Sequence, residues 1–282
     1  MNRNLKILFF LVFFLLALVL RIYKLGQVPV SLYWDEVSQG YNAYSIIHNM
    51  SDEHGVFVPL LFKSFGEYKM PGYIYLSAPL VKIFGLNEFS VRLLSALLGI
   101  AGVGFSFFLT RDLLKILALK KISLRQIEAI ALLSMCLLAI SPWHIIFSRA
   151  GFESNGLLTF TILGFWLFIR GLIYRKFLIY SAIVLGMGMY FYRGAVVFLP
   201  LMLFAYGLIF RKFLFKRGYL RTTMVACCLF VLIATPITLE LFSNRGQVRT
   251  QEVSVFNTKN SKSVTKILEI QANSHLAFKN IV

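Results

Sequence analysis

Asp35 and Glu36 stand side by side just beyond an apolar run, Ile7–Leu20, inside the segment Leu32-Tyr33-Trp34-Asp35-Glu36. Two adjacent carboxylates among aromatics, at the edge of a membrane-length stretch, suit chemistry carried out at a bilayer surface. Further ionisable or polar residues fall at the ends of other apolar stretches: Glu67, Lys69, Glu88, Arg92, His144, Arg149, Glu153, Tyr192 and Arg193. Charges at a membrane boundary are costly unless paired or used. A carboxylate facing cations suits one reaction in particular. A carboxylate such as Asp35 can take the proton of an acceptor hydroxyl. A departing phosphate is already a good leaving group and needs cations more than an acid. Arg grips a phosphate with a fork of donors, and Lys supplies a point charge. A divalent metal, Mg or Mn, could also bridge carboxylate and phosphate.

The elements that position these residues are membrane spans. The chain has 282 residues, of which 58% are hydrophobic and only 15% charged, and its mean hydropathy is +0.74. A soluble domain carries about 25% charged residues. A span needs about 20 mostly apolar residues. Seven stretches qualify as candidates: Leu5–Tyr23, Val91–Leu113, Ile127–Trp143, Gly156–Tyr174, Phe177–Tyr192, Ala195–Phe210 and Thr223–Leu241. The fifth and sixth are short and are separated by Arg193-Gly194 alone.

Basic residues orient the spans. Arg3 and Lys6 precede the first. Lys115, Lys120, Lys121 and Arg125 lie between the second and third. Arg170, Arg175 and Lys176 lie between the fourth and fifth, and Arg211, Lys212, Lys216, Arg217 and Arg221 between the sixth and seventh. All fall on one side, which the rule makes cytoplasmic. The first span reads as an uncleaved signal anchor, since no small-residue cleavage site follows it. The first long loop, Gly26 to about Ser90, is then extracytoplasmic, with Asp35 and Glu36 in it. The net charge of +17 follows from these loops, and no basic stripe on a soluble domain points to nucleic acid. Cys136, Cys227 and Cys228 lie in apolar segments, without metal-ligand or disulfide spacing.

Within the first loop, Val37, Tyr41, Tyr44 and Ile47 recur at helical spacing after Trp34. They predict an amphipathic helix in the interface, with Asp35 or Glu36 in a first turn that favours ionised carboxylates. A second such element is expected over Leu86–Ser95.

These motifs occur in a recognisable order. Trp34-Asp35-Glu36 comes first, with Tyr41 and Tyr44. Lys69-Met70-Pro71-Gly72-Tyr73-Ile74-Tyr75 follows, and then Phe84-Gly85-Leu86-Asn87-Glu88-Phe89-Ser90-Val91-Arg92-Leu93. Together they resemble the N-terminal half of the GT-C glycosyltransferases, in the branch of protein O-mannosyltransferases and aminoarabinose transferases. Ser141-Pro142-Trp143-His144 through Arg149 and Glu153 resembles that group's second outer loop. Met70 stands where the group's Lys-Pro-Pro-like stretch has a proline.

The resemblance implies an all-α polytopic membrane protein, a GT-C-like bundle of about seven transmembrane helices whose first extracytoplasmic loop carries interfacial helices. It implies a membrane enzyme that moves a sugar from a polyprenyl-phosphate donor to an acceptor hydroxyl, with inversion, the acceptor being a protein, a lipid or a polymer. Asp35 would be the base with Glu36 beside it. Lys69, Arg92, Arg149 and Arg193 would hold the donor phosphate, and Tyr41, Glu153 and Tyr192 would line the site. Members usually continue through further spans and often an outer domain. Residues 1–242 are therefore expected to form the transmembrane domain, and 243–282 an extracytoplasmic tail that begins a longer C-terminal part. The competing readings are a transporter or lipid flippase, which would place ionisable groups mid-membrane, and a non-catalytic membrane protein.

Overall fold

The computed structural model describes residues 3–117 and 122–243. Lys120, Lys121 and the expected tail beyond Ser243 lie outside them. The chain is an all-α, multi-pass membrane protein with one small hairpin.

Helix α1 (Arg3–Ile22) leads by a short connection to α2 (Trp34–Asn49). A helix is thus present where the spacing predicts one. Glu36 defines its start, because its side chain accepts from the Tyr33 N–H at 2.8 Å, the back-reaching half of a capping box. Next comes a hairpin that was not expected, of β1 (Phe62–Ser64) and β2 (Glu67–Lys69), paired antiparallel with Phe62 opposite Lys69. Its two-residue turn holds Phe65 and Gly66, with φ of 50° and 84°, which gives a primed turn that suits the twist of paired strands. Helix α3 (Pro71–Phe84) follows, with Pro71 at its first position.

Helix α4 (Glu88–Ile116) starts at an Asn87 cap that accepts from Ser90 N. The interfacial element expected over Leu86–Ser95 is therefore not separate. With Asn87 as cap and no breaker after it, the helix runs straight on into the span. Helix α5 (Leu124–Ile140) is followed by α6 (Pro142–Arg149) after a 57° bend. The predicted third span, Ile127–Trp143, thus breaks near its end. Pro142 has no N–H, and Ser141 before it is extended, with ψ 117°.

The chain ends its described part with α7 (Glu153–Gly171), α8 (Lys176–Gly188), α9 (Ala195–Ile209), the short α10 (Arg211–Leu214) and α11 (Leu220–Phe242). All seven predicted spans contain helices. Among the described residues, α1, α4 and α11 are long and apolar enough to cross a membrane alone, and α5 with α6 makes a fourth if taken as one span. The 13 residues of α8 and 15 of α9 fall short of a full crossing.

Helix α4 is the pivot, packed against α1, α3, α5, α6 and α7, while α8 packs between α7 and α11. Close approach is set by small residues. A Cβ on Gly99 of α4 would overlap Ser148 of α6, and one on Gly156 of α7 would overlap the Phe191 ring. Leu185, Met189, Leu199 and Ile237 fill one core, and Val103, Phe107, Ala131 and Met135 another. Leu8, Leu11 and Leu15 of α1, and Val231, Leu232 and Leu239 of α11, stay exposed, as lipid-facing side chains do.

The bundle has two chemically distinct ends. Lys6 pairs with Glu128 at 2.6 Å, joining the starts of α1 and α5. Arg21 joins their far ends, donating to the Leu138 and Ala139 carbonyls at 3.2 and 3.1 Å. Helices α1 and α5 therefore run parallel. The start of α2, the hairpin and α6 gather at the Arg21 end.

Candidate active site

At that end a cavity of about 230 Å³ opens, lined by Asp35, Gln39, Tyr68, Lys69, Met70, Phe147, Phe152, Glu153, Ser154, Tyr192 and Arg193. Four separate parts of the chain build it: the first turns of α2, strand β2, the α6–α7 corner, and the turn after α8. The corner is tied down by Asn155, whose Nδ2 donates to Ser95 O at 2.8 Å. The Gly72 N–H donates to Tyr190 O at 2.8 Å, which ties the end of the hairpin segment to the turn that presents Tyr192 and Arg193.

Lys69 is the central cation. Its ammonium donates to Asp35 Oδ1 at 2.6 Å and also contacts Glu67. The Lys69 side chain is 5% exposed and that of Asp35 35%, so the carboxylate is the more accessible partner. Burial works against the Lys69 charge. The hydrogen bonds and attraction of Asp35 and Glu67 outweigh it and hold the ammonium above its ordinary value. Lys69 therefore stays charged.

Glu153 stands at the first residue of α7, outside the predicted span. Burial pushes its carboxyl up to about 8, with Lys69 and the Gln39 hydrogen bond pulling the other way and Asp35 and Glu67 adding to the rise. One cavity thus holds an acid paired to a cation and an acid kept neutral, the divided arrangement that separates roles in acid–base sites.

The adjacent acids are split by the fold. Glu36 is 3% exposed and points into the protein. Arg92 Nε donates to Glu36 Oε1 at 2.8 Å and Nη2 to Oε2 at 3.4 Å. Gly151 N donates to the same Oε1 at 3.0 Å. The remaining donors of Arg92 go to the carbonyls of Leu25, Pro29 and Ser31. All five Arg92 donors are committed, and neither Glu36 nor Arg92 reaches the cavity. The position of Arg92 on the outer side of a span suggests a phosphate ligand, but in the fold it clasps the α1–α2 connection to α4.

Arg149 does similar work. It donates to Leu20 O at 2.9 Å, Tyr23 O at 2.8 Å and Val28 O at 2.9 Å, satisfying carbonyls around the end of α1. It lies on a different surface hollow, with Tyr23 and Val28. Tyr41 is half-exposed and does not line the cavity. Arg193 lines it and donates to Tyr68 O at 3.3 Å. His144 is buried, its Nδ1 2.7 Å from Arg21 Nη2.

Gln39, Tyr68, Phe147, Phe152 and Ser154 also line the cavity, which their sequence positions do not announce. Gln39 is the exception: it lies four residues after Asp35, on the same face of a predicted helix. Among the described residues no three His, Cys, Asp or Glu gather as metal ligands, and the Lys69 ammonium lies against both Asp35 and Glu67.

Comparison with known proteins supplies the context. The family model described as dolichyl-phosphate-mannose-protein mannosyltransferase matches residues 11–245. No curated protein matches. Among solved structures, ArnT from Cupriavidus metallidurans in the apo state superposes with a TM-score of 0.55 at 17% identity, over 90% of this chain and 43% of that one. The same protein bound to undecaprenyl phosphate gives 0.58 at 16% identity, over 92% and 44%. The fold is thus shared, and the chain spans less than half the length of ArnT.

Proposed function

The chain belongs to the dolichyl-phosphate-mannose-protein mannosyltransferase family, and on that premise we propose that its cavity transfers a sugar from a polyprenyl-phosphate donor to an acceptor hydroxyl. The observation that carries this reading is the Asp35–Lys69 pair at 2.6 Å, set in the wall of a cavity at one end of a membrane bundle. ArnT has been solved bound to undecaprenyl phosphate, and a lipid of that class suits the donor here.

In the reaction, Asp35 accepts the proton of the acceptor hydroxyl. The freed oxygen lone pair forms a bond to the anomeric carbon. The bond from that carbon to the phosphate oxygen breaks on the opposite face, and its electron pair leaves with the lipid phosphate. Attack opposite to departure inverts the anomeric centre. Lys69 and Arg193 meet the charge that gathers on the phosphate. As phosphate draws the Lys69 ammonium, the hold of Lys69 on Asp35 loosens, so donor binding readies the base.

The loops rich in Lys and Arg belong on the cytoplasmic side, which sets the cavity at the extracytoplasmic face. Transfer of labelled sugar from lipid donor, measured with the full-length protein and its Asp35→Asn variant, tests the assignment. Asp35→Asn is expected to lose about a hundredfold or more of the rate. Undiminished transfer would remove Asp35 as base.

A further inference from the structure

Asp35 and Lys69 account for proton and phosphate but leave one wall of the cavity without a task. Glu153 lines that wall. Gln39 Nε2 donates to its Oε1 at 3.1 Å. Its second carboxyl oxygen makes no hydrogen bond among the described residues. Lys69 is near enough to act on it electrostatically, yet among the described residues it hydrogen-bonds Asp35 and Glu67 and not Glu153. Gln39 is 1% exposed, and its Oε1 is buried with no donor among the described residues. A buried amide held by a single bond, to a carboxyl with spare capacity, costs stability that the fold does not recover.

We propose that Glu153, steered by Gln39, reads a hydroxyl of the transferred sugar and so sets which sugar the cavity accepts. This rests on the reading of the cavity as a prenyl-phosphate-sugar site. Gln39 follows Asp35 by one turn of α2, about 6 Å along the axis. Asp35, Gln39 and Glu153 therefore line the same cavity from adjoining positions. The cavity, about 230 Å³, is smaller than the roughly 300–1,000 Å³ of sites for drug-sized ligands, which suits one monosaccharide unit. Phe147 and Phe152, with ring centroids 4.8 Å apart, give it an apolar wall for the C–H face of such a ring.

The chemistry of the group fits. A neutral carboxyl both donates and accepts, as a hydroxyl does. An ionised one would repel the donor's phosphate in the same cavity. Burial keeps Glu153 in the neutral form up to about 8.

The test is binding of a short-chain prenyl-phosphate hexose and its monodeoxy analogues to the full chain purified in detergent, by calorimetry. In the wild type one monodeoxy analogue is expected to bind about tenfold weaker than the parent. Glu153→Leu brings that ratio close to one. Glu153→Gln, which still donates and accepts, keeps it. An equal preference in Glu153→Leu, or a flat analogue series in the wild type, overturns the role of Glu153 alone. Failure of the wild type to bind any of these donors overturns the underlying reading and this one with it. Should Glu153→Leu fail to fold, Glu153→Asp carries the test. It keeps the acid but withdraws it by one methylene, and an unchanged preference there overturns the proposal.

Discussion

Arg92 holds Glu36 in a buried two-pronged pair, with Nε 2.8 Å from Oε1 and Nη2 3.4 Å from Oε2. Asp35, one residue earlier, turns the other way and meets Lys69 at 2.6 Å. The two acids lie on different sides of the start of α2, one facing the core and one the cavity.

Removing one partner of a buried pair leaves the other charge uncompensated, at a cost of about 3–5 kcal/mol. Glu36→Gln and Arg92→Met are both expected to lower the thermal unfolding midpoint in detergent. Their double variant should lose less than the sum of the singles, because the two share one interaction. A rise in donor KM for Arg92→Met with an unchanged unfolding midpoint would return Arg92 to phosphate binding.

Lys69 sits at 5% exposure between Asp35 and Glu67. Lys69→Met is expected to raise the donor KM by about ten- to a hundredfold, by removing a charge-assisted contact. Lys69→Arg should not restore it, since a planar fork does not fit where a compact ammonium is enclosed. Steady-state kinetics against donor concentration decide, and full activity in Lys69→Arg would speak against the enclosure.

Glu153 makes stability depend on pH. Its folded value, about 8, lies above the ordinary 4.5 through burial. Between those values the folded state holds a proton that the unfolded chain has released. Stability therefore falls as pH rises from about 4.5 to 8, and flattens above. Lys69, Asp35, Glu67 and Gln39 are the groups that act on it. Glu153→Gln is expected to flatten that slope in thermal melts run across pH. An unaltered slope would show that Glu153 is already ionised at neutral pH.

Arg21 is fully buried and serves the bend between α5 and α6, donating to Leu138 O and Ala139 O and meeting His144 Nδ1. Arg21→Leu would orphan all three acceptors, at about 1–3 kcal/mol each where no water replaces the donor. The expected result is a loss of more than about 3 kcal/mol in stability, together with weaker donor binding, because α6 carries Phe147 into the cavity. Denaturant titration and donor affinity measured on one preparation check both.

The helices were readable because their signals are local. Long apolar runs, basic residues between them, and the spacing of Val37, Tyr41, Tyr44 and Ile47 each fall within one segment. The hairpin at Phe62–Lys69 was not readable, since three-residue strands carry no period to detect. The break at Pro142 was written in the sequence but hidden by the apolar residues on both sides of it. Asp35, Lys69, Glu153, Tyr192 and Arg193 were placed at one membrane depth from the sequence, and the fold brings these five to one cavity. Arg92 and Arg149 were placed at that depth too. Nothing local tells a guanidinium aimed at a cavity from one aimed at backbone carbonyls.

By itself, the sequence determined the membrane class, the helical segments and the set of charged residues at one bundle end, because hydropathy and charge placement are set by composition along the chain. The tertiary structure alone decided which charges oppose one another. Partner choice depends on contacts such as Glu36 with Arg92, 56 positions apart, and Gln39 with Glu153, 114 apart. Those distances close only when α2, α4 and α7 pack. Burial then fixes which acid is paired to a cation and which is kept neutral.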